Sequence, residues 1–215
     1  VLFSITNCGD DGLISEIDPG IADCTYLNAR VGTVFKYKSI SNIGVESFSE
    51  SVVIGQSRQN GENYIVMEAT IGDVTNTSYL KCSTIGLRAF TPSAESVGGV
   101  NVGDITIDYD FTQPVGEEWI FELNPYTTSG VTFYNEYRFR IVEKDITMTV
   151  AGVEYSNVYE IHSDNYSYNS INPTETKFSE SRYFLAPEVM TIRTEFYLPG
   201  SPSAYYISDL IEYIY

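Results

Sequence analysis

The chain is poor in the residues that carry most enzyme and metal chemistry. It has one histidine, His162, one tryptophan, Trp119, and three cysteines, Cys8, Cys24 and Cys82, in 215 residues. A zinc site takes three or four His or Cys ligands in close spacing, and no such cluster stands in the sequence. A Ser-His-Asp arrangement would have to use His162. Asp164 shares its strand parity, but no serine in a nucleophile-elbow context completes the set. The spaced Asp/Asn loop with a closing Glu that holds calcium is absent too. Neither catalytic residues nor cofactor nor metal is therefore expected. Basic residues are also scarce: 12 Lys+Arg stand against 29 Asp+Glu, a formal charge of −17. That field repels phosphate backbones and anionic bilayers, which argues against nucleic acid as a partner. No apolar run approaches the ~20 residues of a spanning helix.

Acidic pairs are numerous, as a chain with this charge requires. Glu117–Glu118 and Asp10–Asp11 are adjacent, and neighbours on a strand face opposite ways. They cannot form the facing carboxyls that glycosidases need. Gly98–Gly99 would cradle a phosphate only ahead of a helix N-terminus, and strand-like residues follow it.

What the chain has in quantity is tyrosine (18) and phenylalanine (11), set in period-two runs. In 132–142, Phe133, Tyr137, Phe139 and Ile141 alternate with Thr132, Glu136, Arg138 and Arg140. In 105–111, Ile105, Ile107, Tyr109 and Phe111 alternate with Thr106, Asp108 and Asp110. Alternation of this kind marks strands with one buried face. Asn60–Gly61 and Ala151–Gly152 sit between such runs and read as hairpin turns. Nothing shows a convincing period of 3.6; a few residues within 13–29 are the best helix candidates. The fold class expected is all-β and mostly antiparallel, with few or no helices.

The two halves echo each other. GTVFKYKS from Gly32 aligns with GEEWIFEL from Gly116, setting Phe35 on Trp119 and Tyr37 on Phe121. Tyr79, Leu87 and Arg88 match Tyr183, Ile192 and Arg193 if one residue is inserted. The organisation expected is a single β domain over 31–215 built of two pseudo-repeats, about 31–92 and 105–198, linked by TPSAESVGGVNVGD. Residues 8–30 read as a tether and lead-in.

The opening VLFSITNCGDDG resembles the start of a Bacteroidota lipoprotein. Val1–Ile5 match the tail of a signal-peptide apolar region, Cys8 the lipidated cysteine, and Asp10–Asp11 the acidic export signal. The resemblance implies that residues 1–7 are a signal-peptide remnant, that Cys8 is the lipid anchor, and that the protein resides in the cell envelope: outer membrane, cell surface or periplasm. With Cys8 acylated, Cys24 and Cys82 remain as an even pair. Two readings stay open for them, a disulfide worth ~4 kcal/mol by loop entropy and two buried thiols. Further on, TMTVAGVEYSNVYEI (147–161) and YFLAPEVMTIR from Tyr183 are similar to strands of secreted bacterial proteins of the LolA and LppX lipoprotein-carrier type. That pattern carries glycines where Glu188 and Met190 stand here. The resemblance implies a curled, half-barrel-like antiparallel sheet and no catalytic signature, and with Cys8 as anchor it leaves contact with a membrane only through lipid.

Inward parity falls on Phe35, Tyr37, Trp119, Phe121, Phe133, Tyr137, Phe139, Tyr159 and Phe196. A sheet without helices must cover that face itself. Either these rings fill the interior, or they line a slot for a hydrophobic small molecule or lipid. The first reading of function is thus an exported, non-enzymatic binder of a lipid-like ligand. The second is a surface interaction or glycan-binding module with a filled core, using exposed tyrosines such as Tyr166, Tyr168, Tyr205 and Tyr206. An extracellular hydrolase ranks third.

Overall fold

The computed structural model describes residues 23–24, 27–83, 85–95 and 101–215, with side chains from 27–83, 85–92 and 104–215. It is all-β, 73% strand, and its large antiparallel sheet curls without closing into a barrel. Beyond a two-residue pair, β1 (Asp23–Cys24) with β2 (Leu27–Asn28), the strands form one sheet. The first meander is β3 (Val34–Ser41), β4 (Glu46–Gln59), β5 (Glu62–Ile71), β6 (Val74–Cys82), β7 (Gly86–Glu95) and β8 (Asn101–Asp110). The second begins with two short strands, β9 (Glu118–Glu122) and β10 (Tyr126–Thr128), which both pair with β11 (Val131–Val150). It continues through β12 (Val153–Asn169), β13 (Thr176–Ala186), β14 (Met190–Tyr197) and β15 (Tyr206–Ile214). The last of these pairs with β3, so the meanders share one ladder.

The sequence explains the turns directly. Asn60 and Gly61 both take positive φ (50° and 83°), as do Ala151 and Gly152 (50° and 85°). Two consecutive left-handed residues make the tight turn whose twist matches the flanking strands. The expected echoes keep their order along the meanders. Phe35 lies on β3 and Trp119 on β9, Tyr79 on β6 and Tyr183 on β13, Arg88 on β7 and Arg193 on β14. Each of these arginines grips an aspartate on the next strand: Arg88 Nε donates to Asp108 at 2.7 Å, and Arg193 Nε to Asp209 at 2.5 Å.

Curling brings the free edge of β8 back toward β9 and β11. Trp119 Nε1 donates to the Asp108 carbonyl at 3.4 Å, and Lys144 Nζ to the Phe111 carbonyl at 3.1 Å. Tyr109 meets Phe139 edge-on at 5.8 Å and Tyr183 at 6.4 Å. This seam is held by side chains, where every other neighbour in the sheet is held by a backbone ladder.

The core sits at one end of the curl. Phe35, Val53, Ile65, Ile141, Ile161, Ile192 and Leu210 are fully buried there. The hairpin of β11 and β12 overshoots its neighbours, and three register shifts between Ile141 and Met148 interrupt its ladder. Bulges bend strands, and beyond these Val150 and Val158 are fully buried in the same core. Leu27 and Ala29 join that core, with Asn28 N–H donating to the Glu188 carbonyl at 3.1 Å.

Three local expectations differ from what is seen. The end of the lead-in is not a bare tether, since Leu27 is fully buried. The helix candidates of 13–29 lie mostly outside the described residues; where described, 23–24 and 27–28 are strand. The stretch expected to link the halves is largely strand as well: Thr91 pairs with Ile105, Ala94 with Gly103 and Glu95 with Asn101. Ladder bonds satisfy the backbone of small, weakly strand-forming residues once their neighbours are paired.

Glu188 and Met190 hold φ of 66° and 65°, a conformation that costs an L-residue ~1–2 kcal/mol and glycine nothing. These are the two positions where the similar motif carries glycine. Glu188 is exposed, so its side chain supplies little packing in return. Glu188→Gly is expected to stabilise the protein by about 1 kcal/mol after the entropy of the unfolded chain is counted. Thermal denaturation should show Tm raised by about 2–4 °C; an unchanged or lower Tm contradicts the strain argument.

Candidate functional site

Reading the inward positions strand by strand shows a gradient in polarity. On β3 the order is Phe35, Tyr37, Ser39; on the paired β15 it is Leu210, Ser208, Tyr206. On β14 it is Ile192, Thr194, Phe196, on β13 Leu185, Tyr183, Ser181, and on β12 Ile161, Ser163, Asn165. Each strand but β14, which ends in Phe196, thus turns from an apolar side chain to a polar one along the same direction. Ser39, Ser163, Ser179 and Ser181 are buried, and buried hydroxyls need partners. Ser39 and Ser208 share a bond at 3.0 Å, and the Tyr206 hydroxyl donates to Ser39 at 2.6 Å. Asn165 Nδ2 donates to Ser179 at 2.7 Å.

Where the aliphatic and hydroxyl zones meet, the interior is not filled. A cavity of about 290 Å³ lies between Leu80, Leu87, Ala89, Leu185 and Met190 on its apolar walls. Tyr37, Tyr109 and Tyr183 line it as well, with Ser49, Thr191, Thr194 and Ser208 at its polar side. The Tyr37 hydroxyl donates to the Thr191 carbonyl at 3.1 Å. Burial pushes the Tyr37, Tyr109 and Tyr183 phenols above their ordinary value. All three stay neutral and available as hydrogen-bonding groups at physiological pH.

The nine aromatic residues expected to face inward take different places. Tyr37 lines the cavity. Phe35 and Phe139 are buried in the core, and Trp119 stacks on Phe139 at 5.6 Å. Phe121, Tyr137 and Tyr159 are partly buried against the same core, Tyr159 beside Phe111 at 5.4 Å. Phe133 stacks on Tyr126 at 5.3 Å and Phe196 lies edge-on to Tyr205 at 6.5 Å. Of the four tyrosines read as exposed, Tyr205 is exposed, while Tyr166 lies under the Arg138 guanidinium and Tyr168 stacks on Tyr134. Tyr206 is tied to Ser39. Cys82 is disulfide-bonded, which sets aside the free-thiol reading for that residue. Cys24 is described in its backbone alone, and Cys8 lies outside the described residues. The leucines, Met190 and the serine wall were not among the residues expected to line a site. The signal was there: serines occupying the inward parity of a strand mark an interior that its side chains do not fill.

No family model matches the chain, and no curated protein matches it. Two solved structures share its fold. One is described as an exported protein with a YmcC-like fold from Bacteroides fragilis, 10% identical, TM-score 0.53. The other is described as a lipoprotein from Parabacteroides distasonis, 12% identical, TM-score 0.57. Each comparison covers 89% of this chain and 100% of the other.

On the convex face, β11–β13 carry a ladder of charges. Arg140 binds Asp164 at 2.9 Å, and Lys177 lies 2.7 Å from Asp164 and 3.0 Å from Glu180. His162 is buried within this ladder, 2.7 Å from Glu160 and 3.4 Å from Arg140. Its neighbour Ser163 points to the opposite face, so the two do not converge. The sequence led us to expect one buried face per strand, yet His162, Ser163, Asp164 and Asn165 are all buried. The long arms of Arg140 and Lys177 cover the convex side. Burial pushes the Asp164 carboxyl up, but bonds and charge from Lys177 and Arg140 outweigh it and hold it below its ordinary 3.8. The stability it contributes is therefore full above that value and is lost as pH falls through the lowered one. Asp164→Asn is expected to cost about 1–3 kcal/mol at neutral pH and to flatten acid destabilisation below pH ~4. Chemical denaturation from neutral to acid pH checks this; a variant whose acid profile parallels the parent's contradicts it.

Proposed function

We propose that the protein is an exported, lipid-anchored and non-enzymatic binder that holds a small hydrophobic or lipid-like ligand inside its curled sheet. The observation that carries this reading is the cavity between Leu80, Leu87, Leu185 and Met190, faced by three neutral phenols. Its volume of about 290 Å³ sits at the lower limit of ordinary ligand pockets and equals about ten water volumes. A short acyl chain, or one segment of a longer lipid, fits that space, with its polar end toward Ser49, Thr194 and Ser208. Kinship with carriers of the LolA and LppX type belongs to the same reading, as does an origin of the two meanders by duplication.

Export is supported by the disulfide at Cys82, since such bonds persist in oxidising compartments, and by a fold shared with proteins described as exported and as a lipoprotein. Cys24 is the partner we assign to Cys82, and Cys8 the acylated residue. Cys8→Ala in the native precursor should move the protein from the membrane fraction to the soluble one. Membrane association that survives the change contradicts the anchor.

Trp119, the chain's one tryptophan, reports on the cavity through two ring contacts: it stacks on Phe139, and Phe139 meets the cavity-lining Tyr109. Titration with decanoic acid should change its fluorescence saturably. Ala89→Leu, which fills the cavity without burying charge, should weaken that response about tenfold or more while leaving Tm within a few degrees. Fluorescence that does not respond, or a response indifferent to Ala89→Leu, contradicts the reading.

A further inference from the structure

A second recess lies on the same face at the opposite extreme of the long hairpin, where β10 and the start of β13 flank the open end of β11 and β12. It has a volume of about 430 Å³. Its rings are Tyr126, Phe133, Tyr168 and Phe178, and its amides Asn135, Asn169 and Asn172, with serine and threonine hydroxyls between them. No charged side chain lines it among the described residues. On a chain of net charge −17 that neutrality is informative. The nearby ionic groups are committed elsewhere: Arg138 pairs with Glu136 and Glu175, and Lys177 with Asp164 and Glu180.

Two features build the recess rather than merely leave it. Tyr126 and Phe133 lie nearly parallel, 5.3 Å apart at 12°, a stacked pair that makes one apolar wall. A register shift between β12 and β13 beside Asn165 and Tyr166 sets Phe178 outside the ladder, where it is 43% exposed. Two of the three amides, Asn169 and Asn172, are fixed by the turn that follows β12. Asn169 Oδ1 accepts the N–H groups of Ile171 at 3.0 Å and Asn172 at 2.7 Å, and Asn172 Oδ1 accepts that of Thr174 at 3.2 Å. The turn thus uses the carbonyl end of each amide and leaves its NH₂ end as an oriented donor.

We propose that this recess binds a neutral glycan. A sugar ring offers an apolar C–H face for the Tyr126–Phe133 wall and a rim of hydroxyls for the amides, serines and threonines. A purely apolar ligand would leave those polar groups unpaired, at a penalty for each, and an anion would meet no uncommitted cation. The site is separate from the cavity beside Tyr37 and does not depend on what that cavity holds.

Isothermal titration with cellohexaose, xylohexaose, mannohexaose, maltohexaose and chitohexaose, and with a heparin hexasaccharide as the anionic control, tests the proposal. At least one neutral oligosaccharide should bind and the heparin fragment should not. Phe178→Ala and Tyr126→Ala should each weaken binding about tenfold or more with Tm unchanged, because neither ring belongs to the core. Ala89→Leu should leave glycan binding as it is, which separates this site from the lipid cavity. The proposal is overturned if no neutral oligosaccharide binds at millimolar concentration, if heparin is preferred, or if both ring variants bind like the parent.

Discussion

The structure depends on the return of β15 to β3. Without that ladder the chain would be two meanders, each with an open edge and a bare apolar face. With it, thirteen strands share one sheet that curls far enough for its other two ends to meet. The pairing runs from Tyr206 against Ser41 to Ile214 against Val34, and side chains reinforce it along its length. Lys36 and Glu212 approach to 2.7 Å, Tyr213 packs on Phe35 at 5.2 Å, and Ser39 bonds Ser208. Tyr213 also donates to the Asn28 carbonyl at 2.8 Å, tying the lead-in across the same end of the sheet. The surface ion pair contributes little by itself; the buried rings and the backbone ladder do most of the holding.

From this closure follows the division of the interior. The aliphatic end is plugged by Leu27 and by the bent tip of β11 and β12, so it is a core in the ordinary sense. The opposite end has no such plug among the described residues, and its inward positions are mostly serine, threonine, asparagine and tyrosine, with Phe196 among them. The cavity lies where one regime gives way to the other. An all-β domain with no helix among the described residues to cover its concave face must either fill the curl with side chains or leave room in it, and this one does each at a different end.

Much of this was legible in the residues. The alternation around Phe139, the Asn60–Gly61 and Ala151–Gly152 turns and the shortage of helical period dictate an antiparallel sheet. The closing motif at Tyr183 pointed to Glu188 and Met190 as positions suited to glycine, and both are left-handed. The placement of the aromatics was less legible. Parity assigns a face but not a height along the strand, and height decides whether a ring such as Phe139 fills the core or one such as Tyr37 borders the cavity. Cys82 could not be resolved from sequence because pairing needs a distance that no spacing supplies. The burial of His162 depended on Arg140 and Glu180 approaching it from the neighbouring strands and Glu160 along its own.

The central claim is that the gap between Leu185, Met190 and Tyr37 is a ligand site rather than a packing defect. Native mass spectrometry on protein purified without denaturant from the cells that produce it tests this most directly. The account predicts a stoichiometric adduct that leaves on denaturation, is soluble in organic solvent, and is diminished in Ala89→Leu. Protein that flies at its bare covalent mass under native conditions, from parent and variant alike, would contradict it.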